Sequence, residues 1–108
     1  MPDDAYLLDM LNAARRAKQF VASLSQDEFA ASDLHQSAVV KQLEIVGEAA
    51  RRVSDEFQAA HPEIPWRLIV GMRNRLIHDY TRIDVETVWE TVQRDLDPLI
   101  SHLEIWES

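Results

Sequence analysis

The chain has 108 residues, 28% of them charged and 46% hydrophobic, with no cysteine, two glycines and a formal charge of −8. That length holds one domain with a real core, here expected over residues 1–108, and the composition is that of a folded protein. Disulfide scaffolds, thiolate chemistry and Cys-ligated zinc are excluded, no apolar run approaches the ~20 residues of a membrane span, and the net acidity argues against a general nucleic-acid binder. The opening MPDDAYLLDM is acidic and lacks a signal peptide's apolar stretch and cleavage site, so a cytoplasmic protein is expected.

Hydrophobic residues recur at helical spacing throughout. In the first segment Tyr6, Leu7, Met10, Leu11, Ala14, Ala17, Phe20, Val21 and Leu24 make one stripe, with Asp3 and Asp4 in a first turn where negative charge suits the helix dipole. Ser25 and Glu28 have capping-box spacing, which predicts a short helical turn. A second long helix starts near Asp33, its seam running through Val39, Leu43, Val46, Ala50, Val53 and Phe57. Gly47 falls inside it, as expected where a neighbouring helix comes close. Pro62 and Pro65 then stop one helix and admit the next. The third helix is expected from Trp66 to Tyr80. Asp84 caps the fourth, whose stripe is Val85, Val88, Trp89, Val92, Leu96, Leu99, Ile100 and Leu103, with Pro98 bending it. The sum is an all-α fold: an antiparallel bundle of four long helices with a short extra helical turn.

Charge is spread unevenly. Residues 66–82 carry Arg67, Arg73, Arg75 and Arg82 against Asp79 alone, an island of +3 in a chain of −8. Arginine fits phosphate bidentately where lysine cannot. Pairing with the acidic neighbouring helices accounts for the four arginines equally well. Plotted at 100° per residue, Leu68, Ile69, Met72 and Leu76 share one arc, the natural core face. Val70 and Ile77 form a second apolar face, with Arg73 and Tyr80 between the two and Asn74 and His78 beyond. This second face predicts a subunit interface, although a broad core face with a few exposed aliphatics would also produce it.

In RNRLIHDY, Arg73 and His78 are five apart and Tyr80 follows. An imidazole exchanges protons near neutral pH, and a guanidinium beside it holds phosphate and offsets charge growing on its oxygens. Together they suffice for metal-free RNA cleavage, in which a base activates the 2′-hydroxyl against the adjacent phosphodiester. An exposed histidine near a helix C-terminus is the plainer account of the same spacing. His35, His61 and His102 lack ligand spacing and read as surface or capping residues, so no metal site is expected. Glu44 and Glu48 share a helix face, where Glu48 is spaced to pair with Arg52 and the reading is a solvated face. Trp66, Trp89 and Trp106 read as core or interface anchors.

The runs IVGEAARRVSDEF and IPWRLIVGMRNRLIHDYTRIDVETVWETV resemble the HepT-like branch of the HEPN superfamily. GMRNRLIHDY carries the most specific part of the likeness: Arg, a polar residue, then His and Tyr at the family spacing. The resemblance implies a symmetric homodimeric four-helix bundle acting as the ribonuclease toxin of a toxin–antitoxin pair, without a metal and with no cofactor of its own. It implies catalytic roles for Arg73 and His78 in a cleft between subunits, with Asn74 in support; from the arginine island, Arg75 and Arg82 are candidate phosphate or RNA contacts. It also implies a minimal nucleotidyltransferase antitoxin of the MntA type, which would add AMP to Tyr80 and silence the nuclease. The alternative is a non-catalytic dimeric HEPN module that binds a nucleotidyltransferase partner or RNA. On either reading, the basic segment of two copies meets at a two-fold axis, and the average charge of −8 ceases to count against RNA.

Overall fold

A computed structural model describes residues 2–79 and 82–107. Helix α1, Asp4–Val21, buries Leu7, Met10, Leu11, Ala14, Ala17 and Val21, the stripe expected from the spacing. Asp4 lies in its first turn, whereas Asp3 stands one place earlier and is buried. The carboxylate of Asp3 accepts from the Ser54 N–H at 2.9 Å and from the Ser54 hydroxyl at 2.8 Å. Helix α2, Gln26–Ala30, begins with the full capping box: the Glu28 N–H donates to Ser25 Oγ at 3.1 Å, and the Ser25 N–H to Glu28 Oε1 at 2.9 Å. Its Phe29 is fully buried.

Helix α3, Asp33–Arg52, starts where Ser32 Oγ accepts from the His35 N–H. The seam expected to run on to Phe57 is interrupted. Val53 turns extended, and Ser54 Oγ accepts from the Phe57 N–H to open a separate helix α4, Asp55–Ala60. A serine that can cap a new helix while binding Asp3 across the bundle outweighs an uninterrupted periodicity. Two buried or half-buried amides close the helix ends there: Gln36 Nε2 donates to the Phe29 and Ala30 carbonyls, and Gln58 Nε2 to those of Ala50 and Val53. Among the described residues, every buried side-chain nitrogen and oxygen has a hydrogen-bond partner.

The third helix differs most from expectation. It forms two short pieces, α5 Trp66–Val70 and α6 Met72–Leu76, divided at Gly71, and it stops at Leu76 rather than Tyr80. The chain then pairs strand β1, Ile77–Asp79, with β2, Arg82–Ile83, antiparallel, matching Ile77 to Ile83 and Asp79 to Arg82 with an irregularity between. Isoleucines at both paired positions favour a strand, and the ladder supplies backbone partners that a helix end leaves open. This two-stranded sheet is the departure from an all-α fold. Leu68, assigned by spacing to the core face, is 57% exposed, because on α5 the buried face is set by Trp66 and Ile69 and Leu68 points away from it. Ile69, Met72 and Leu76 do face the core.

Helix α7, Val85–Glu90, is capped by Asp84 as expected, with the Thr87 N–H on Asp84 Oδ1 at 3.1 Å. It widens into a π-helical stretch, Thr91–Asp95, before α8, Leu96–Glu104. Pro98 has no N–H for the Arg94 carbonyl, and the irregular turn sits immediately before it.

Contacts fix the directions of packing. Asp3 at the start of α1 meets Ser54 just past α3, so those helices are antiparallel. Arg15 pairs with Glu104 and Glu107, and Lys18 with Asp97, so α1 and α8 also run oppositely. Gly47 lies against α5: a Cβ there would stand 3.1 Å from the Ile69 carbonyl oxygen, the close approach its place in a helix implied. Trp66 and Phe57 pack edge to face, and Trp106 closes the same cluster over His61. Trp89 packs on Phe29. No helix among the described residues is long and apolar enough to cross a membrane.

Candidate active site

The arginine-rich segment is the part of the chain where helix gives way to hairpin. Arg73, Asn74 and Arg75 lie on α6, His78 on β1 and Arg82 on β2, all exposed. Tyr80 lies outside the described residues. The break at Gly71 and the switch at Ile77 turn these side chains away from the ideal helical positions implied by an unbroken helix. The five-residue step from Arg73 to His78 therefore crosses from helix to strand.

Within one chain the two residues open onto different hollows. Arg73 borders a groove of about 550 Å³ beside α3, with Tyr6, Lys41, Glu44, Arg52 and Val70. His78 borders a second hollow of about 520 Å³, with Asp33, Gln36, Ser37, Arg82 and Ile83. Arg73 is 57% exposed, and its Nε lies 3.7 Å from Glu44 Oε2. His78 is 56% exposed, and its Nε2 lies 3.4 Å from Asp84 Oδ2. Arg75 turns back onto its own helical region, donating to the Leu68 carbonyl at 3.0 Å. Val70, 37% exposed, borders the Arg73 groove, so half of the expected second apolar face is present. Its other member, Ile77, is half-buried against the core.

Spacing gave two acidic residues other roles than the ones they take at this site. Asp84 was expected only as a helix cap, yet it also faces the imidazole. Its carboxyl is held below the usual aspartate range, chiefly by the Thr87 N–H at the helix start and in smaller part by His78. Glu44 was expected on a solvated face and instead faces Arg73. The signal that could have found it is Gly47, three residues on, which marks the face of α3 that α5 approaches. Glu48 does pair with Arg52 as its spacing implied, and more closely with Arg51, whose guanidinium lowers the Glu48 pKa.

Elsewhere, His35 Nδ1 lies 2.7 Å from Ser32 Oγ, His61 is stacked on Phe57, and His102 borders a groove beside α8. Among the described residues no three His, Asp or Glu side chains gather as metal ligands. The chemistry available at the segment is thus an exposed guanidinium, an exposed imidazole, and a carboxylate facing each.

Residues 10–105 match the family model described as "Ribonuclease HepT-like". The chain is 38% identical over 94 residues to the "Probable ribonuclease HepT" of Thermococcus cleftensis, covering 87% of this chain and 86% of that protein. It is 36% identical over 101 residues to "Putative RNase MJ1380" of Methanocaldococcus jannaschii, covering 94% and 93%. No solved structure matches the chain.

Proposed function

Because the chain belongs to the HepT-like ribonuclease family, we propose that it is a metal-independent endoribonuclease, the toxin of a toxin–antitoxin pair, with Arg73 and His78 as its catalytic residues. The observation that carries this reading is the presence of an exposed guanidinium and an exposed imidazole on one +3 segment of a chain that is otherwise acidic. His78 takes the proton of a ribose 2′-hydroxyl. The freed oxygen attacks the adjacent phosphorus, and the 5′-oxygen leaves with a proton from the imidazolium or water. Arg73 lies along the non-bridging oxygens and offsets the charge that builds on them. Asn74, Arg75 and Arg82 add contacts to the RNA strand.

The working unit is a homodimer in the cytoplasm. Arg73 and His78 open onto separate hollows of one chain, and a two-fold partner seated on the exposed Val70 beside Arg73 would bring one subunit's arginine towards the other's histidine. The partner that restrains it is a minimal nucleotidyltransferase antitoxin, which transfers AMP from its own ATP to Tyr80. AMP there sets an anion beside the site that must receive RNA phosphate.

Purified protein in EDTA is expected to cut RNA, and Arg73→Ala and His78→Ala each to lose most of that cutting while circular dichroism is unchanged. Cleavage that survives both substitutions, or that starts only on adding Mg²⁺, refutes the assignment. A clean dimer that binds RNA or the nucleotidyltransferase but never cuts would favour a non-catalytic interaction module instead. Intact-mass analysis after co-expression with the antitoxin should show added AMP, absent in Tyr80→Phe.

A further inference from the structure

Asp84 does more than begin a helix. Its N–H donates to the Leu76 carbonyl at 2.7 Å, tying it to the end of α6. Its Oδ1 accepts the Thr87 N–H at 3.1 Å, tying it to the start of α7. With the backbone and one oxygen fixed, the other oxygen, Oδ2, has a single direction left, and it stands 3.4 Å from His78 Nε2. Asp84 is 27% exposed, about half the exposure of the histidine it faces. We infer that Asp84 is a positioning residue for His78: its Oδ2 holds the neutral imidazole in the Nε2–H tautomer and leaves Nδ1 bare as the atom that takes the substrate's proton. This rests on the ribonuclease reading for its catalytic consequence, but not for the state of the ring.

The reasoning is one of donors and acceptors. An ionised carboxylate only accepts, so the ring nitrogen facing it must carry hydrogen, and the opposite nitrogen is then the base. The Thr87 N–H, which lowers the Asp84 pKa, keeps that carboxyl ionised at neutral pH. The division of labour between its two oxygens also makes the arrangement testable, because cap and ring contact can be separated chemically. Asparagine keeps a capping oxygen for Thr87 and turns an NH₂ donor towards the ring. That donor requires a bare Nε2 and drives the ring proton onto Nδ1, the tautomer that cannot act as base there. Serine also caps helices well, yet its hydroxyl is too short to reach the ring and leaves the imidazole unconstrained.

The test uses ¹⁵N-labelled full-length protein, with long-range proton–nitrogen spectra of the His78 ring recorded where it is neutral. Wild type should show the Nε2–H pattern, Asp84→Asn the Nδ1–H pattern and Asp84→Ser a mixture. Melting temperatures should stay close together, because all three residues cap. In RNA cleavage kcat should fall on the order of 10²–10⁴-fold in Asp84→Asn with KM little changed, and less in Asp84→Ser. A cap-only role predicts the same ring spectrum in all three proteins and equal kcat for the two variants, and that result overturns the inference. The two readings fail separately. Reversal of the tautomer in a protein whose His78→Ala variant cuts as well as wild type upholds the Asp84 contact and sinks the catalytic assignment. Loss of cleavage in His78→Ala with an unmoved tautomer does the opposite.

Discussion

The wall formed by α1, α3 and α8 and the segment from Trp66 to Asp84 obey different rules. On the wall, Met10, Ala14, Leu43 and Val46 are fully buried, Ser32 caps α3, Ser25 and Ser54 cap the short helices flanking it, and charges such as Arg15 are matched by carboxylates. In the segment, the helix breaks at Gly71, changes to strand at Ile77, and leaves Leu68, Arg73 and His78 exposed. The wall supplies a rigid base against which α5 can be pressed, backbone onto Gly47. The segment anchors itself with Trp66, Ile69, Met72 and Leu76 and holds the arginines and the histidine in solvent. A site that must admit a ligand keeps its charged groups in solvent, and a packed wall beside it is what keeps the backbone carrying them in place.

Substitutions should separate the two regions, beginning with the largest effect. Replacing Arg73 or His78 by alanine is expected to lower the cleavage rate by about 10²–10⁴-fold and to leave the unfolding midpoint where it was. A large loss of stability in either variant would break the division. Leu43→Ala should do the reverse, costing about 2–5 kcal/mol in denaturant unfolding while activity per folded molecule is kept. Ser54→Ala removes the cap of α4 and the hydroxyl that donates to Asp3, so a loss of about 1–2 kcal/mol is expected. Equal stability in that variant would mean that the Asp3 bridge to Ser54 does not hold α1 to α3.

Acid should act on both regions, and modestly. Glu28, Glu48, Glu107 and Asp84 all have pKa values lowered by their partners in the folded state. Each therefore binds protons less readily folded than unfolded. Their contribution to stability is complete above the ordinary carboxylate range and is lost as pH falls through the lower native values. Unfolding midpoints followed between neutral pH and pH 3 test this, and a midpoint that rises on acidification would contradict it. The smallest effect is expected from Arg15→Met, whose pairs with Glu104 and Glu107 sit on the surface. What difference there is should vanish in ~1 M salt.

Much of the fold was legible because burial in a helical bundle repeats along the chain. The stripes of α1, α3 and α8, the capping box at Ser25, the Asp84 cap and the close approach at Gly47 all follow from local rules. The third helix was misread for a related reason. Periodicity cannot see that two isoleucines, Ile77 and Ile83, will find each other across a hairpin, nor that Ser54 will bind Asp3 51 positions away. Of the candidate site, the residue types were legible in the arginine island and in RNRLIHDY, but their partners were not. Glu44 and Asp84 meet Arg73 and His78 only once α3 and α7 are folded against the segment.

By itself the sequence determined that this is a small, mostly helical, cysteine-free domain with one basic segment carrying an arginine, a histidine and a tyrosine at a telling spacing. Those properties depend on composition and on steps of three and four, which each residue carries with it. Tertiary structure alone decided that the segment is broken into helix and hairpin, that Arg73 and His78 face different hollows, and that a carboxylate stands before each. Such facts depend on which distant chain segments come within a few ångströms of each other. Only packing sets that proximity, because a contact's free energy is gained after the chain has closed around it.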